Sequence, residues 1–121
     1  MSKILVVDDS MTVRQQVSAA LGPAGFAIVE AKDGVEGLEK IEGDKEVKVV
    51  ICDINMPRMN GLDMLEEARR RAGNQNLPFL MLTTEAQPDM VARAKAAGAK
   101  GWMVKPFKPD VLLQCSKKLA A

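Results

Sequence analysis

Five side chains of this sequence have the types and positions to act together: Asp8, Asp9, Asp53, Thr83 and Lys105, each at the end of a short apolar run or just beyond it. Taken singly, each has an ordinary role. Asp9 or Ser10 would cap a helix, Asp53 would sit in a turn, Thr83 would cap or turn, and Lys105 would be a solvated charge. Taken together, they put three carboxylates, a hydroxyl and an ammonium at one place. Carboxylates brought within ~4 Å repel by about 4 kcal/mol per pair at an effective dielectric of 20, a strain that a purely structural cluster has no need to carry. A divalent cation relieves it, and an oxygen-only ligand set favours magnesium over zinc.

The elements that would gather these residues can be read from the apolar pattern. Ile4–Val7, Phe26–Val29, Val47–Cys52, Phe79–Leu82 and Trp102–Val104 are runs of strand length with little alternation. Such runs fit strands buried on both faces, as in a parallel sheet covered by helices. Helical spacing lies between them. Val13, Val17, Ala20 and Leu21 mark a first helix stopped by Gly22-Pro23, and Val35, Leu38 and Ile41 mark a second. Leu62, Leu65 and Ala68 mark a third that runs into Arg69-Arg70-Arg71, and Met90, Val91, Ala94 and Ala97 a fourth ending before Gly98. Pro109 suits the first turn of a fifth, with Val111, Leu112, Cys115 and Leu119 on one face, although Lys108 offers that helix no good N-cap side chain. Five repeats of strand then helix predict one doubly wound α/β domain over residues 1–121, with five parallel strands and five helices. In such sheets ligands bind beyond the carboxyl ends of the strands, which is where the five polar residues fall. The second strand ends in Glu30-Ala31 and adds no evident partner. Gly73-Asn74-Gln75-Asn76 reads as a polar, mobile loop.

Composition removes several kinds of chemistry. With 47% hydrophobic and 27% charged residues the chain is of ordinary globular make-up. No apolar run approaches the ~20 residues that span a bilayer, and the N-terminus lacks the pattern of a secretory signal, so the cytoplasm is expected. The absence of histidine excludes Ser-His and Cys-His catalysis, histidine metal ligation and phosphohistidine chemistry within this chain. Cys52 and Cys115 form no CxxC pair and are expected to be reduced core thiols.

Four strings carry a family resemblance: Ile4-Leu-Val-Val-Asp-Asp-Ser10, Ile51-Cys-Asp-Ile-Asn-Met-Pro57 with Gly61, Leu82-Thr-Thr-Glu85, and Val104-Lys-Pro-Phe107. In order and spacing they resemble the response-regulator receivers of two-component systems, of the stand-alone chemotaxis type. The resemblance implies the flavodoxin-like strand order 2-1-3-4-5, which is the established arrangement of that family and rests on the resemblance alone. It implies that Asp53 takes a phosphoryl group from a sensor histidine kinase. Asp9, Asp53 and the backbone carbonyl of Asn55 would hold Mg2+ directly, with Asp8 acting through water. Lys105 and Thr83 would contact phosphoryl oxygens, the phosphorylated domain would later dephosphorylate itself, and Lys105–Pro106 would be a cis peptide. Gly61 would shape the loop after Asp53, or serve as an ordinary turn glycine. The switch aromatic of the family is usually Tyr or Phe, whereas Trp102 stands here.

Two rival classes lack their motifs. A haloacid-dehalogenase-type phosphatase needs a second Asp two residues after a strand-one nucleophile, and a nucleotide or flavin module needs a phosphate-cradling loop after strand one. A receiver belonging to a larger regulator with a DNA-binding or enzymatic output domain remains the alternative architecture. Residues 83–121 hold seven Lys or Arg against three Asp or Glu, while residues 1–82 hold ten against thirteen. That bias is either a solvated surface or a basic face, near helix four, strand five and helix five, for an acidic downstream target protein. No direct contact with nucleic acid or membrane is expected.

Overall fold

A computed structural model describes residues 2–71, 73–84 and 87–121. In chain order the elements are β1 (Lys3–Val7), α1 (Met11–Leu21), a 3-10 turn (Gly22–Ala24), β2 (Ala27–Ala31), α2 (Gly34–Gly43) and β3 (Val47–Asp53), then α3 (Gly61–Arg70), β4 (Phe79–Thr83), α4 (Pro88–Ala96), β5 (Gly101–Val104) and α5 (Pro109–Ala120). The five strands are parallel and ordered β2-β1-β3-β4-β5. This is the doubly wound α/β sheet that the strand and helix pattern predicts.

The unalternated runs have a simple cause, since successive side chains of a strand point to opposite faces and both faces here are covered. Leu5, Val7, Val50, Cys52, Phe79 and Met81 enter one core with Leu38, Ile41, Leu62, Leu65 and Ala94 of α2, α3 and α4. Ile4, Val6, Val49, Ile51, Leu80 and Leu82 enter the other with Val17 and Leu21 of α1 and Leu112 of α5. Each fully buried side chain of this size contributes about 1.5–3 kcal/mol of burial free energy, so the central strands β1, β3 and β4 anchor the domain. The edge strand β2 begins at Ala27 and continues through Glu30 to Ala31, one or two residues later than the apolar run alone marks.

Helix starts follow local chemistry. Ser10, rather than Asp9, caps α1: its Oγ accepts from Val13 N (3.3 Å). Asp33 caps α2 and Asn60 caps α3, whereas α5 has no side-chain cap at Lys108. The 73–76 loop is more firmly held than its composition predicts. Asn74 is buried and donates to Glu42, and Arg69 donates to the carbonyls of Asn74, Leu77, Ala97 and Gly98 while lying over the Phe79 ring. That guanidinium satisfies the carbonyls of a loop and the C-terminus of α4 at once, which no property of the loop's own residues could indicate.

Candidate functional site

Asp8 lies just past β1 and Asp53 ends β3, and β1 and β3 are hydrogen-bonded neighbours. The alternation that sends Val6 and Ile51 to one face carries Asp8 and Asp53 to the same face. The Asp8 N–H donates to Ala31 O (3.0 Å) and Ile54 N–H to Leu82 O (3.0 Å), so each acid is fixed by a ladder bond beside it. Lys105 approaches from the end of β5, held by its own N–H to Thr83 O (2.7 Å), and Lys105–Pro106 is cis. Its Nζ lies 2.8 Å from Asp8 Oδ2 and 3.2 Å from Asp53 Oδ1. Asp9, exposed, completes a set of three carboxylates that each offer one oxygen, these oxygens lying within 4.8 Å of one another.

Of the residues singled out from sequence, then, Asp8, Asp9, Asp53 and Lys105 come together. Thr83 is buried at the end of β4, one position beyond the Asp53–Leu82 pair. Asn55 is exposed in the loop after β3. Trp102 is outside the cluster: it is half-buried on the edge strand β5, opposite Met81, and its indole Nε1 is buried without an acceptor among the described residues. Glu85, the last residue of the Leu82–Glu85 string, lies outside the described residues.

Electrostatics follow from burial. Asp53 is 4% exposed. Burial, followed by the charge of Asp8, raises its pKa above the usual carboxylate value, and Lys105 only partly opposes this. Burial also works against the Lys105 charge, but its hydrogen bond to Asp8 and the fields of Asp53 and Asp8 outweigh that, so its pKa is raised and it stays an ammonium. Burial drives the Cys52 thiol pKa upward, leaving it a neutral packing group against Met64. Among the described residues, three carboxylates and one ammonium leave the pocket two positive charges short of balance. An oxygen-only donor set with that deficit fits a hard divalent cation, and Asp8, Asp9 and Asp53 are the side chains that would hold it.

The raised pKa of Asp53 has a stability consequence with a definite sign. This carboxyl holds its proton more tightly folded than unfolded. Its ionisation therefore costs stability as pH rises from the unfolded toward the folded pKa, and that cost is fully present above the folded value. Asp53→Asn is expected to melt higher than the parent at pH 7 in EDTA, and the gap is expected to close as pH falls below the folded pKa. Thermal melts across pH check this; a gap that stays constant or widens in acid contradicts it.

One part of the site escaped sequence reading, and the cause behind another, Gly61, was left open by it. Arg14 on α1 donates through Nη1 to the Asp8 carbonyl (2.6 Å) and through Nε to Glu30 (2.9 Å), which gives Glu30 its partner. An arginine one turn into α1, level with the end of β2, is the signal that could have linked them. Gly61 has its N–H on Ile54 O (2.9 Å), and a Cβ there would be driven into the Asp53 carbonyl oxygen. Its φ is not in the left-handed region, so space and not turn geometry demands glycine.

Comparison with known proteins gives consistent matches. A family model for the response regulator receiver domain matches residues 4–117. The chemotaxis protein CheY1 of Helicobacter pylori is 42% identical over 111 residues, covering 91% of this chain and 90% of that protein. A CheY homolog of Campylobacter jejuni is 40% identical, covering 91% and 85%. Among solved structures, Vibrio cholerae chemotaxis protein CheY4 superposes with a TM-score of 0.92 at 42% identity over 98% of both chains.

Proposed function

The chain belongs to the response regulator receiver domain family, and from that premise we propose that Asp53 is its phosphoryl acceptor in a magnesium-dependent transfer. It is a CheY-like receiver of two-component signal transduction, a signalling switch and not a classical enzyme. Proteins of this kind work between histidine kinases and output targets. No helix among the described residues is long and apolar enough to cross a membrane.

The observation that carries the assignment is the position of Asp53: a buried carboxylate at the end of a central strand, facing two further carboxylates and the Lys105 ammonium. In the proposed transfer an Asp53 carboxylate oxygen attacks the phosphorus of the kinase's phosphohistidine. The new O–P bond forms as the N–P bond breaks, and the imidazole leaves with the electron pair and takes up a proton. Asp8, Asp9, Asp53 and the Asn55 carbonyl would hold Mg2+, which supplies charge neutralisation on the phosphoryl oxygens. Lys105 exchanges its contact with Asp53 for one with a phosphoryl oxygen while keeping Asp8. Thr83, at the end of the neighbouring strand, supplies a hydroxyl donor to another. Hydrolysis of the acyl phosphate by water at the same pocket returns the carboxylate, so the domain resets itself.

Trp102 stands three residues before Lys105, in the position of the family's switch aromatic, on the α4-β5-α5 side that we propose controls the partner. As the sole Trp in a chain with no Tyr, it reports on that side directly. Beryllium fluoride with Mg2+, a phosphoryl mimic, is expected to shift its emission, and Asp53→Asn to abolish the shift. Calorimetric binding of the mimic with unmoved emission would show that the output side does not follow the pocket through Trp102.

A further inference from the structure

The loop between β3 and α3, residues 54–60, carries Asn55, and its middle is held in an unusual way. Arg58 has φ 64°, a left-handed conformation that costs a side chain other than glycine. Its guanidinium forks onto Asp33, Nε to Oδ2 at 2.8 Å and Nη2 to Oδ1 at 3.1 Å. Asp33 is 3% exposed, although Arg58 itself is largely exposed. The same Oδ1 accepts from Glu36 N (2.9 Å) and caps α2. One residue on, Gly34 N–H donates to Met59 O (3.1 Å), and a Cβ at Gly34 would press on that same carbonyl. The loop's ends are tied at Ile54 to β4 and at Gly61 to Ile54. Besides Asn60, which caps α3, the Arg58 fork and the Met59 carbonyl are the hydrogen-bonded anchors of its interior to another element among the described residues.

From this arrangement we propose that Arg58 and Asp33 form a latch that positions the Asn55 carbonyl for the divalent cation. Both are positioning residues for the site, and neither touches it. The inference rests on the reading of Asp8, Asp9, Asp53 and Asn55 as that cation site. A backbone carbonyl can serve as a ligand only if its loop is held in one conformation, and burying apolar side chains does not orient a peptide plane. The fork does, because a planar guanidinium on a buried carboxylate fixes both distance and direction. It also accounts for a left-handed arginine where glycine would be free of strain: glycine could not make the fork. The hydrogen bonds from Arg58 and Glu36 N–H hold the Asp33 carboxyl below its ordinary pKa, so the latch keeps its charge at neutral pH.

The test is Mg2+ titration by calorimetry of the full chain, the parent beside Arg58→Gly, Asp33→Asn and the double variant, with melting in EDTA recorded for each. Arg58→Gly relieves the backbone while removing the guanidinium, and Asp33→Asn keeps a competent helix cap while removing the charge. Each single variant is expected to bind Mg2+ about tenfold more weakly than the parent, as loss of an outer support to a metal site does. The double variant is expected to be no weaker than either single, because one latch is broken only once. A purely structural role would lower the EDTA melting temperature and leave Mg2+ affinity within about twofold, which overturns the proposal. A double variant weakened by the product of the two singles overturns it as well, since the residues would then act separately. Asp53→Asn serves as the control for the site itself. If the parent takes up no Mg2+, or Asp53→Asn binds as tightly as the parent, the cation reading fails and the latch fails with it.

Discussion

Gly61→Ala is expected to destabilise the domain by about 3 kcal/mol, at the upper end of overpacking costs, because the obstacle is backbone and cannot rotate away. The added Cβ meets the Asp53 carbonyl oxygen and carbon and stands 3.1 Å from Cys52 Sγ. For a chain of this length that corresponds to a fall in Tm on the order of 10 °C. The displaced atoms belong to the residue that carries the proposed acceptor carboxylate, so phosphoryl uptake should slow by about a hundredfold in the fraction that still folds, as a 1 Å misplacement can cause. Gly43→Ala provides the contrast. Nothing lies within 4 Å of a Cβ at Gly43, the last residue of α2, so alanine there should be neutral or stabilising by up to about 1 kcal/mol. Melting and uptake measured on both variants separate a space requirement from a general sensitivity to replacing glycine. Equal behaviour of the two would contradict the account of Gly61.

The contrast also shows which features of this site a sequence can reveal. Asp8, Asp53 and Lys105 were legible because each follows a run of apolar residues, and in a parallel sheet the ends of those runs share one edge. The strands were legible for the same physical reason: Val6 and Val7, or Ile51 and Cys52, are apolar in succession because both faces are packed. Edges were read less sharply, since β2 extends past its apolar run to Glu30 and Ala31. What escaped depends on how distant loops meet. The Arg58–Asp33 fork joins residues 25 apart, and Arg69 joins α3 to carbonyls at the end of α4. Neither has a local signature, because an arginine's partners are set by the register between elements and not by its neighbours in the chain. Gly61 was legible as important but ambiguous as to cause, and the observed φ and the neighbouring carbonyl decide between turn and space. Asp9 and Ser10 were equal candidates for capping α1; with Ser10 in that role, Asp9 is left exposed and available to a cation.

The same charge arrangement bears on the acceptor role proposed for Asp53, whose carboxylate stands in a costly place. Asp53 is buried beside another carboxylate, and among the described residues Lys105 is the cation that offsets it. A buried carboxylate that is expected to destabilise the metal-free fold, at the end of a central strand, is better explained by function than by packing.

The central claim is tested most directly by intact mass after incubation with acetyl phosphate. In Mg2+ the parent should gain one phosphoryl group, and in EDTA it should gain none. Asp53→Asn, which the burial of Asp53 leads us to expect folded and more stable without metal, should gain none under either condition. Undiminished phosphorylation of folded Asp53→Asn would contradict the assignment of Asp53 as the acceptor.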